Sequence, residues 1–398
     1  MTSTTAGSHL HPWIATIAYY LSFVLLGATT AASGPSLPRL AERTASGLDQ
    51  ISLIFVFGSL GYLIGSFLGG RAYDRLPGHK LMAISLLALA LISALIPIAP
   101  ALWLLLAAMF LSGFASGIVD VGCNTLLLWT HGNKAGPFMN GLHFFFGVGS
   151  FIAPLILARV LLQTGDILWL FWSMAIACLP VAILCWFLPQ PSSHTQAQES
   201  DKASFPVLPV LLIVILFILY VGLELGFANW IYTYALSLEL GDAVTSAYLT
   251  SGFWGAFTLG RLLGIWVSTR ARSLTILYTD LVGCAVSAII IMLWKESPLA
   301  LWVGSLGLGL AMASIFPTIL MLAGERIQVT GAITGWFLVG AGAGSMLLPW
   351  LIGQIFVQTG PQALTTVLLV DITLLTLVLL LVVGQRAVRP IEPALKAE

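Results

Sequence analysis

Residues 70–80 read Gly-Arg-Ala-Tyr-Asp-Arg-Leu-Pro-Gly-His-Lys, an island in which Arg71, Asp74, Arg75 and Lys80 crowd four charges into eleven positions of a chain that is only 8% charged. Apolar runs flank it on both sides, over 48–72 and 79–98. Each is long enough for a helix to cross a hydrocarbon layer about 30 Å thick, which takes roughly 20 residues. The island therefore reads as a short aqueous turn between two membrane spans.

Outward from that turn the same punctuation repeats. The 398 residues are 59% hydrophobic and carry 16 basic and 16 acidic side chains. A water-soluble chain has about a quarter of its residues charged, so this one lacks the polar material to coat a globular surface. A soluble enzyme is excluded, and a net charge of zero without a basic block argues against nucleic acid as a partner. Charges, Pro and Gly divide the chain into twelve spans: 13–35, 48–72, 79–98, 101–130, 137–162, 166–188, 207–236, 243–269, 273–293, 298–323, 329–357 and 361–385. The expected fold class is an all-α membrane protein of 12 transmembrane helices.

The one long polar stretch, Pro189 to Pro206, is rich in Ser, Gln and charge and reads as a linker. It separates an N-terminal half (1–188) from a C-terminal half (207–398). Met1 to Pro12 carries no Lys or Arg ahead of the first apolar run, so that run is read as a retained span rather than a signal peptide. Cys123, Cys178, Cys185 and Cys284 lie in apolar runs without a CxxC pair, and read as packing residues.

Orientation follows from basic residues in loops. Arg71, Arg75, Lys80, Lys134, Lys202, Arg261, Arg270, Arg272, Arg326, Arg386, Arg389 and Lys396 fall on the side of the termini and linker, against Arg39, Arg43, Arg159 and Lys295 on the other. Both termini are expected to be cytoplasmic, in a multi-pass inner or plasma membrane.

The halves also resemble each other. Gly149-Ser150, Pro154 and Gln163-Thr164-Gly165 recur as Gly344-Ser345, Pro349 and Gln358-Thr359-Gly360 at an offset of 195 residues. Gly65, Gly70 and Arg71 are matched by Gly255, Gly260 and Arg261 at an offset of 190. Two matches at nearly one offset, joining spans six apart, indicate duplicated six-helix halves of the same topology. That is the layout of major facilitator transporters.

The 70–80 turn resembles the signature of that superfamily, G-x-x-x-D-[RK]-x-G-[RK]-[RK], with one extra residue before Gly78. The resemblance implies a gate of Gly70, Asp74, Arg75, Gly78 and Lys80. Gly70 would allow close helix approach, Asp74 would cap or pair with a facing helix end, and the basic residues would anchor at headgroups. The plainer alternative is a bare positive-inside loop. The second half keeps only Gly260-Arg261 with Arg270 and Arg272, and has Gly264 where an acid would stand.

Acids at membrane depth are functional candidates because an uncompensated charge there costs several kcal/mol. In Gly117-Ile118-Val119-Asp120-Val121-Gly122-Cys123-Asn124, i, i+4 spacing places Asp120 and Asn124 on one face. In the seventh span Trp230 and Tyr234 share a face, while Glu224 and Asn229 stand about 140° apart, close enough to border one broad cavity. Asn140 and His143 share a face at the start of the fifth span. Carboxylates and amides suit sugar hydroxyls, and aromatic rings suit the C–H face of a pyranose. The substrate-binding candidates are thus Asp120, Asn124, Asn140, His143, Glu224, Asn229, Trp230 and Tyr234, with Asp120, Glu224 and His143 also candidates for ion coupling. Each acid could instead make a buried structural hydrogen bond, and His143 could be satisfied by a neighbouring carbonyl. Asp280 and Asp371 read as structural or peripheral. Trp254 and Trp336 are either cavity walls or lipid-facing side chains.

Gly340-Ala341-Gly342-Ala343-Gly344 lacks the Lys-Ser/Thr ending and preceding strand of a phosphate loop, and reads as close helix packing. No metal-ligand cluster or nucleophile motif is visible. No cofactor is expected beyond H+ or Na+ as coupling ion, and transport must draw on gradients.

Gly117-Ile118-Val119-Asp120 with Asn124, Leu142-His143-Phe144, Tyr220-Val221-Gly222-Leu223-Glu224, Phe316-Pro317-Thr318 and Gly335-Trp336-Phe337 resemble the sodium-dependent glucose transporter branch, related to the fucose permeases. The fucose permeases carry an acid-x-x-x-Asn pattern in span four that is implicated in sugar recognition and proton coupling, and Asp120-x-x-x-Asn124 is similar to it. The resemblance implies a symporter of a hexose-type sugar working by alternating access, embedded among membrane lipids as a monomer. One departure stands out: the fucose permease has an acid in its first span, whereas Gly27 to Pro38 offers only Thr29, Thr30, Ser33 and Ser36. Coupling would then use Asp120, Glu224 or His143, or be sodium-linked, or be absent. A proton-coupled drug or lipid exporter on the same fold is the competing function. A non-transporting sensor would leave the intramembrane acids unexplained.

Overall fold

A computed structural model describes residues 12–191 and 206–385. Most of the linker, with Lys202, lies outside the described residues, as do Met1 to His11, Arg386, Arg389 and Lys396. Among the described residues there are helices and no strands. We label the long helices α1 (Pro12–Arg43), α2 (Leu53–Tyr73), α3 (Gly78–Leu95), α4 (Leu102–His131), α5 (Ala135–Thr164), α6 (Leu168–Phe187), α7 (Val207–Ser237), α8 (Ala243–Ser268), α9 (Ser273–Leu293), α10 (Pro298–Met312), α11 (Ile315–Arg326), α12 (Gly331–Thr359) and α13 (Ala363–Gly384).

Among the described residues eleven spans, with α10 and α11 together forming one, are long and apolar enough to cross a membrane. The remaining long helix, α8, carries Arg261 and a series of Ser and Thr side chains and is not among them.

Two compact units divide the chain, residues 1–196 with 243–251 and residues 197–242 with 252–398. Within the first, α1 packs on α5, α2 on α4 and α3 on α6. Within the second, α7 packs on α12 and α9 on α13, so the first-on-fifth and third-on-sixth order of the first unit recurs. In hydrocarbon, helices associate by van der Waals packing rather than by a hydrophobic drive, so small residues sit where backbones meet. Between α2 and α4 the approach is close: a Cβ on Gly117 would lie 2.3 Å from the Tyr62 carbonyl oxygen.

Three sequence expectations need correcting. The first helix continues past 35 to Arg43 through Pro35 and Pro38. Thr29 and Thr30 hydroxyls return hydrogen bonds to the Leu25 and Leu26 carbonyls at 2.9 and 3.0 Å, whereas the carbonyls that Pro35 and Pro38 leave without an i+4 N–H are those of Ala31 and Gly34. At its end Arg43 donates to the Pro97 carbonyl and, at 2.6 Å, to Asp166 Oδ1, which fixes α1 to the turns before α4 and α6.

The tenth span is discontinuous, broken at Ala313-Ser314. Pro317 explains the restart: it occupies the first turn of α11, where its missing N–H would have no intrahelical partner. The break frees the Met312 carbonyl, which accepts the Tyr220 hydroxyl at 2.9 Å, and Ser314 donates to Asp280 Oδ2 at 2.6 Å. Asp280 therefore has the structural partner that its position suggested.

Gly70 is the third correction. A Cβ there would meet nothing nearer than Val121 Cγ1 at 3.9 Å, because α2 and α4 have begun to diverge; the close approach falls at Gly61 and Gly65, where the same test gives 2.0 and 2.1 Å to α4 carbonyl oxygens.

Asp371 lies in α13 at 3% exposure, and its Oδ2 has no hydrogen-bond partner among the described residues. Leu375, one turn on, lines a small apolar cleft with Leu277 and Leu281 of α9. An unsatisfied buried polar group costs about 1–3 kcal/mol. Asp371→Leu is accordingly expected to raise the melting temperature of the detergent-purified protein; a lower Tm would show that the carboxyl stabilises the fold.

Candidate functional site

In the first unit the close crossing of α2 and α4 decides what surrounds Asp120. Gly117 stands one turn before Asp120, so its contact with the α2 backbone brings Tyr62 and Ser66 onto the same level. The Tyr62 hydroxyl donates to Asp120 Oδ2. Asn124 Nδ2 donates to Asp120 Oδ1 at 2.8 Å and to the Asp120 carbonyl at 3.0 Å, as the i, i+4 spacing predicts. Ser66 Oγ faces the Gly117 carbonyl at 3.5 Å. The result is a carboxylate held by two neutral donors, the Tyr62 phenol and the Asn124 amide, with the Ser66 hydroxyl nearby. Such a group can accept hydroxyl donors from a solute, or take up a cation or proton.

Tyr62 is the residue that sequence reasoning missed. Its only sequence signal is its place between Gly61 and Gly65, the two glycines that mark the α2 contact face. Asn140 and His143 are both exposed on one face of α5, and Phe23 of α1 stands edge-on to the His143 ring at 5.9 Å.

In the second unit Glu224 is buried in α7, 8% exposed. Tyr220, one turn earlier on α7, gives its hydroxyl to the Met312 carbonyl at 2.9 Å, and Arg261 of α8 lies within the electrostatic field of Glu224. Arg261 also stacks over Phe257, 4.5 Å from the ring centre. The sequence reading counted Arg261 among loop charges. It lies inside α8, where an acidic partner and an aromatic face offset the loss of water.

Asn229, Trp230 and Tyr234 are all buried. The Trp230 indole N–H donates to the Pro349 carbonyl at 2.8 Å, and its ring lies 5.2 Å from that of Phe356, which ties α7 to α12. Trp254 is buried among Phe253 and Phe257, whereas Trp336 is 54% exposed.

At the quoted turn, Asp74 closes α2 with its side chain exposed. Arg75 and Lys80 are exposed, and Lys80 sits 5.9 Å over the Trp186 ring. Gly78 is buried; a Cβ there would lie 2.7 Å from Leu126. His79, quoted in the motif but given no role, is buried: its Nε2 is 2.7 Å from the Tyr19 hydroxyl, and its backbone N–H donates to Gln190 Oε1 at 3.4 Å. A second histidine, His131, meets Thr16 Oγ1 at 2.7 Å. Both bonds hold α1 to the end of the bundle where the motif turn lies. Among the described residues no group of three or more His, Cys, Asp or Glu side chains is arranged to hold a metal.

Comparison with known proteins gives a consistent picture. The Major Facilitator Superfamily profile matches residues 19–349. Sodium-dependent glucose transporter 1 of Xenopus laevis is 31% identical over 82% of this chain and 72% of its own length. Sodium-dependent glucose transporter 1A of Mus musculus is 29% identical over 84% of this chain and 88% of its own. Among solved structures, a D-xylose-proton symporter superposes with a TM-score of 0.75 at 14% identity, covering 91% of this chain and 97% of that one. The nucleoside transporter NupG gives 0.73 at 15% identity, covering 94% and 98%.

Proposed function

This chain belongs to the Major Facilitator Superfamily, and from that membership we propose that it carries a hexose-type sugar across the membrane by alternating access, driven by a sodium or proton gradient. It is a multi-pass membrane transporter and not an enzyme. The observation that carries the finer reading is the Asp120–Tyr62–Asn124 cluster, which offers a charge and hydroxyl-matching groups at membrane depth. Relatives named for sodium-dependent glucose transport support the same substrate class and favour sodium over a drug- or lipid-exporting role.

The proposed solute-binding residues are Asp120, Asn124, Asn140 and His143 in the first unit, and Glu224, Asn229, Trp230 and Tyr234 in the second. Asp120, Glu224 and His143 are the candidates for coupling. Trp230 would offer a ring face alone, since its N–H is engaged by Pro349. The gate would use Asp74, Arg75, Gly78 and Lys80 at the turn, with both termini cytoplasmic. Assigning Arg261 to a span leaves the positive bias of that side intact.

The test is uptake of radiolabelled D-glucose into proteoliposomes of the purified protein, under an inward sodium gradient, an inward proton gradient, or neither. Accumulation above equilibrium is expected with one gradient and not with the other. Failure to take up any hexose in all three conditions would overturn the reading.

A further inference from the structure

A threonine buried in a helix has a ready partner for its hydroxyl in the backbone carbonyl one turn back, and two side-chain rotamers from which to reach it. Thr16, Thr250, Thr258 and Thr318 donate to the carbonyls of Pro12, Ser246, Trp254 and Ser314, and Thr365 donates to that of Gln362, at 2.6–3.2 Å. All five are buried. Thr233 of α7 is buried too, 3% exposed, yet its Oγ1 has no hydrogen-bond partner among the described residues. The carbonyl it forgoes is that of Asn229. A buried hydroxyl left unpaired destabilises the fold, and valine would fill nearly the same volume without leaving a polar atom alone. The chain therefore carries a hydrogen-bonding group that its own fold does not use.

The place of Thr233 on α7 points to what uses it. Four residues separate it from Asn229, so the two side chains share one helix face. Asn229 is buried and belongs to the proposed solute-binding residues, as do its neighbours Trp230 and Tyr234. The Trp230 N–H is committed to the Pro349 carbonyl, so polar recognition on this stretch falls to other groups. The Asn229 amide offers two donors and an acceptor, and the Thr233 hydroxyl a donor and two lone pairs. Neither is charged, so together they match neutral hydroxyls, each of which both donates and accepts, rather than a carboxylate or an ammonium group.

We propose that Thr233 is a specificity-determining residue of solute binding: with Asn229 it forms a hydrogen-bonding edge on α7, and its hydroxyl engages one hydroxyl of a neutral polyhydroxylated solute. This rests on the hexose-carrier reading above and deepens it, by adding a residue and committing it to a single contact. A solute that carries the hydroxyl pairs Thr233; one that lacks it leaves the buried group unpaired and is rejected.

The experiment is competition of radiolabelled D-glucose uptake into proteoliposomes by unlabelled D-glucose and by each of its monodeoxy analogues, on the native chain and on Thr233→Val. The substitution is expected to raise the KM for glucose about tenfold, as for the loss of one hydrogen bond between neutral groups, with turnover changed far less. One monodeoxy analogue, lacking the hydroxyl that Thr233 holds, should compete equally well against both proteins, while the others weaken as glucose does. That selective indifference is a double-mutant cycle between side chain and solute, and a merely structural threonine would not give it. The Tm of Thr233→Val in detergent should equal or exceed that of the native chain, because an unpaired polar atom has been removed. An unchanged glucose KM, an equal loss for glucose and every analogue, or a valine variant that melts below the native chain or fails to fold would each overturn the proposal, with native uptake leaving the carrier reading in place. No hexose uptake by the native chain would overturn both.

Discussion

Asp120→Asn is expected to leave the protein folded and able to exchange solute, while abolishing gradient-driven accumulation. The substitution is nearly isosteric. The asparagine oxygen can still accept from Tyr62, which donates to Asp120 in the native chain, and the α2–α4 crossing is untouched. What is lost is the charge and the oxygen that accepts from Asn124 Nδ2, whose amide can turn to present its own oxygen to the new NH2 group. A tenfold gradient of one monovalent cation is worth about 1.4 kcal/mol, enough for roughly tenfold accumulation of solute at zero membrane potential. Without a group that binds the ion that free energy is not transmitted, so the steady-state ratio of internal to external sugar should fall to one. Sugar counterflow, which needs no net ion movement, should persist at a measurable rate. Proteoliposome uptake with an imposed gradient, followed by counterflow on the same preparation, separates the two effects. Accumulation that survives Asp120→Asn would move coupling to another group.

The reach of sequence reasoning follows the range of the interaction in each case. Span positions were legible because each is set locally, by a run of apolar residues ended by charge, Pro or Gly; α9 at Ser273–Leu293 coincides with its expected span. The Asp120–Asn124 bond was legible for the same reason, since four residues of helix bring the two side chains together. Tyr62 was not, because it reaches Asp120 from another helix, 58 positions away in the chain. Arg261 was misassigned because a basic residue near the end of a polar-speckled span looks like a loop anchor until its acid, on a different helix, is known. The break at Ala313-Ser314 had a local signal in Pro317, but the freed carbonyl is satisfied by Tyr220, 92 positions away. Gly70 failed for a related reason: in a run of glycines along α2, the sequence does not say at which one the partner helix begins to diverge.

The same crossing makes Gly117 a position where a small change should have a large structural effect. A Cβ there would lie 2.3 Å from the Tyr62 carbonyl oxygen, 2.7 Å from the Ser66 nitrogen and 2.8 Å from Ser66 Oγ. Two of these are backbone atoms of α2, which cannot turn aside as a side-chain end could, and a Cβ on Gly65 in the same contact would likewise meet the Phe114 carbonyl oxygen at 2.1 Å. Gly117→Val must therefore drive the helices apart along their contact. Overpacking of this kind costs about 1–3 kcal/mol where side chains can yield and more where backbone must move. The variant is expected to lose its monodisperse gel-filtration peak or to melt well below the native chain, while Gly70→Ala, with open space at 3.9 Å, should match native Tm. Gly117→Ala probes the link to function, because splaying α2 from α4 withdraws Tyr62 from Asp120 before it unfolds the bundle. Cation affinity should then fall more than Tm does, and an Ala variant with lowered Tm but unchanged cation affinity would separate the crossing from the site.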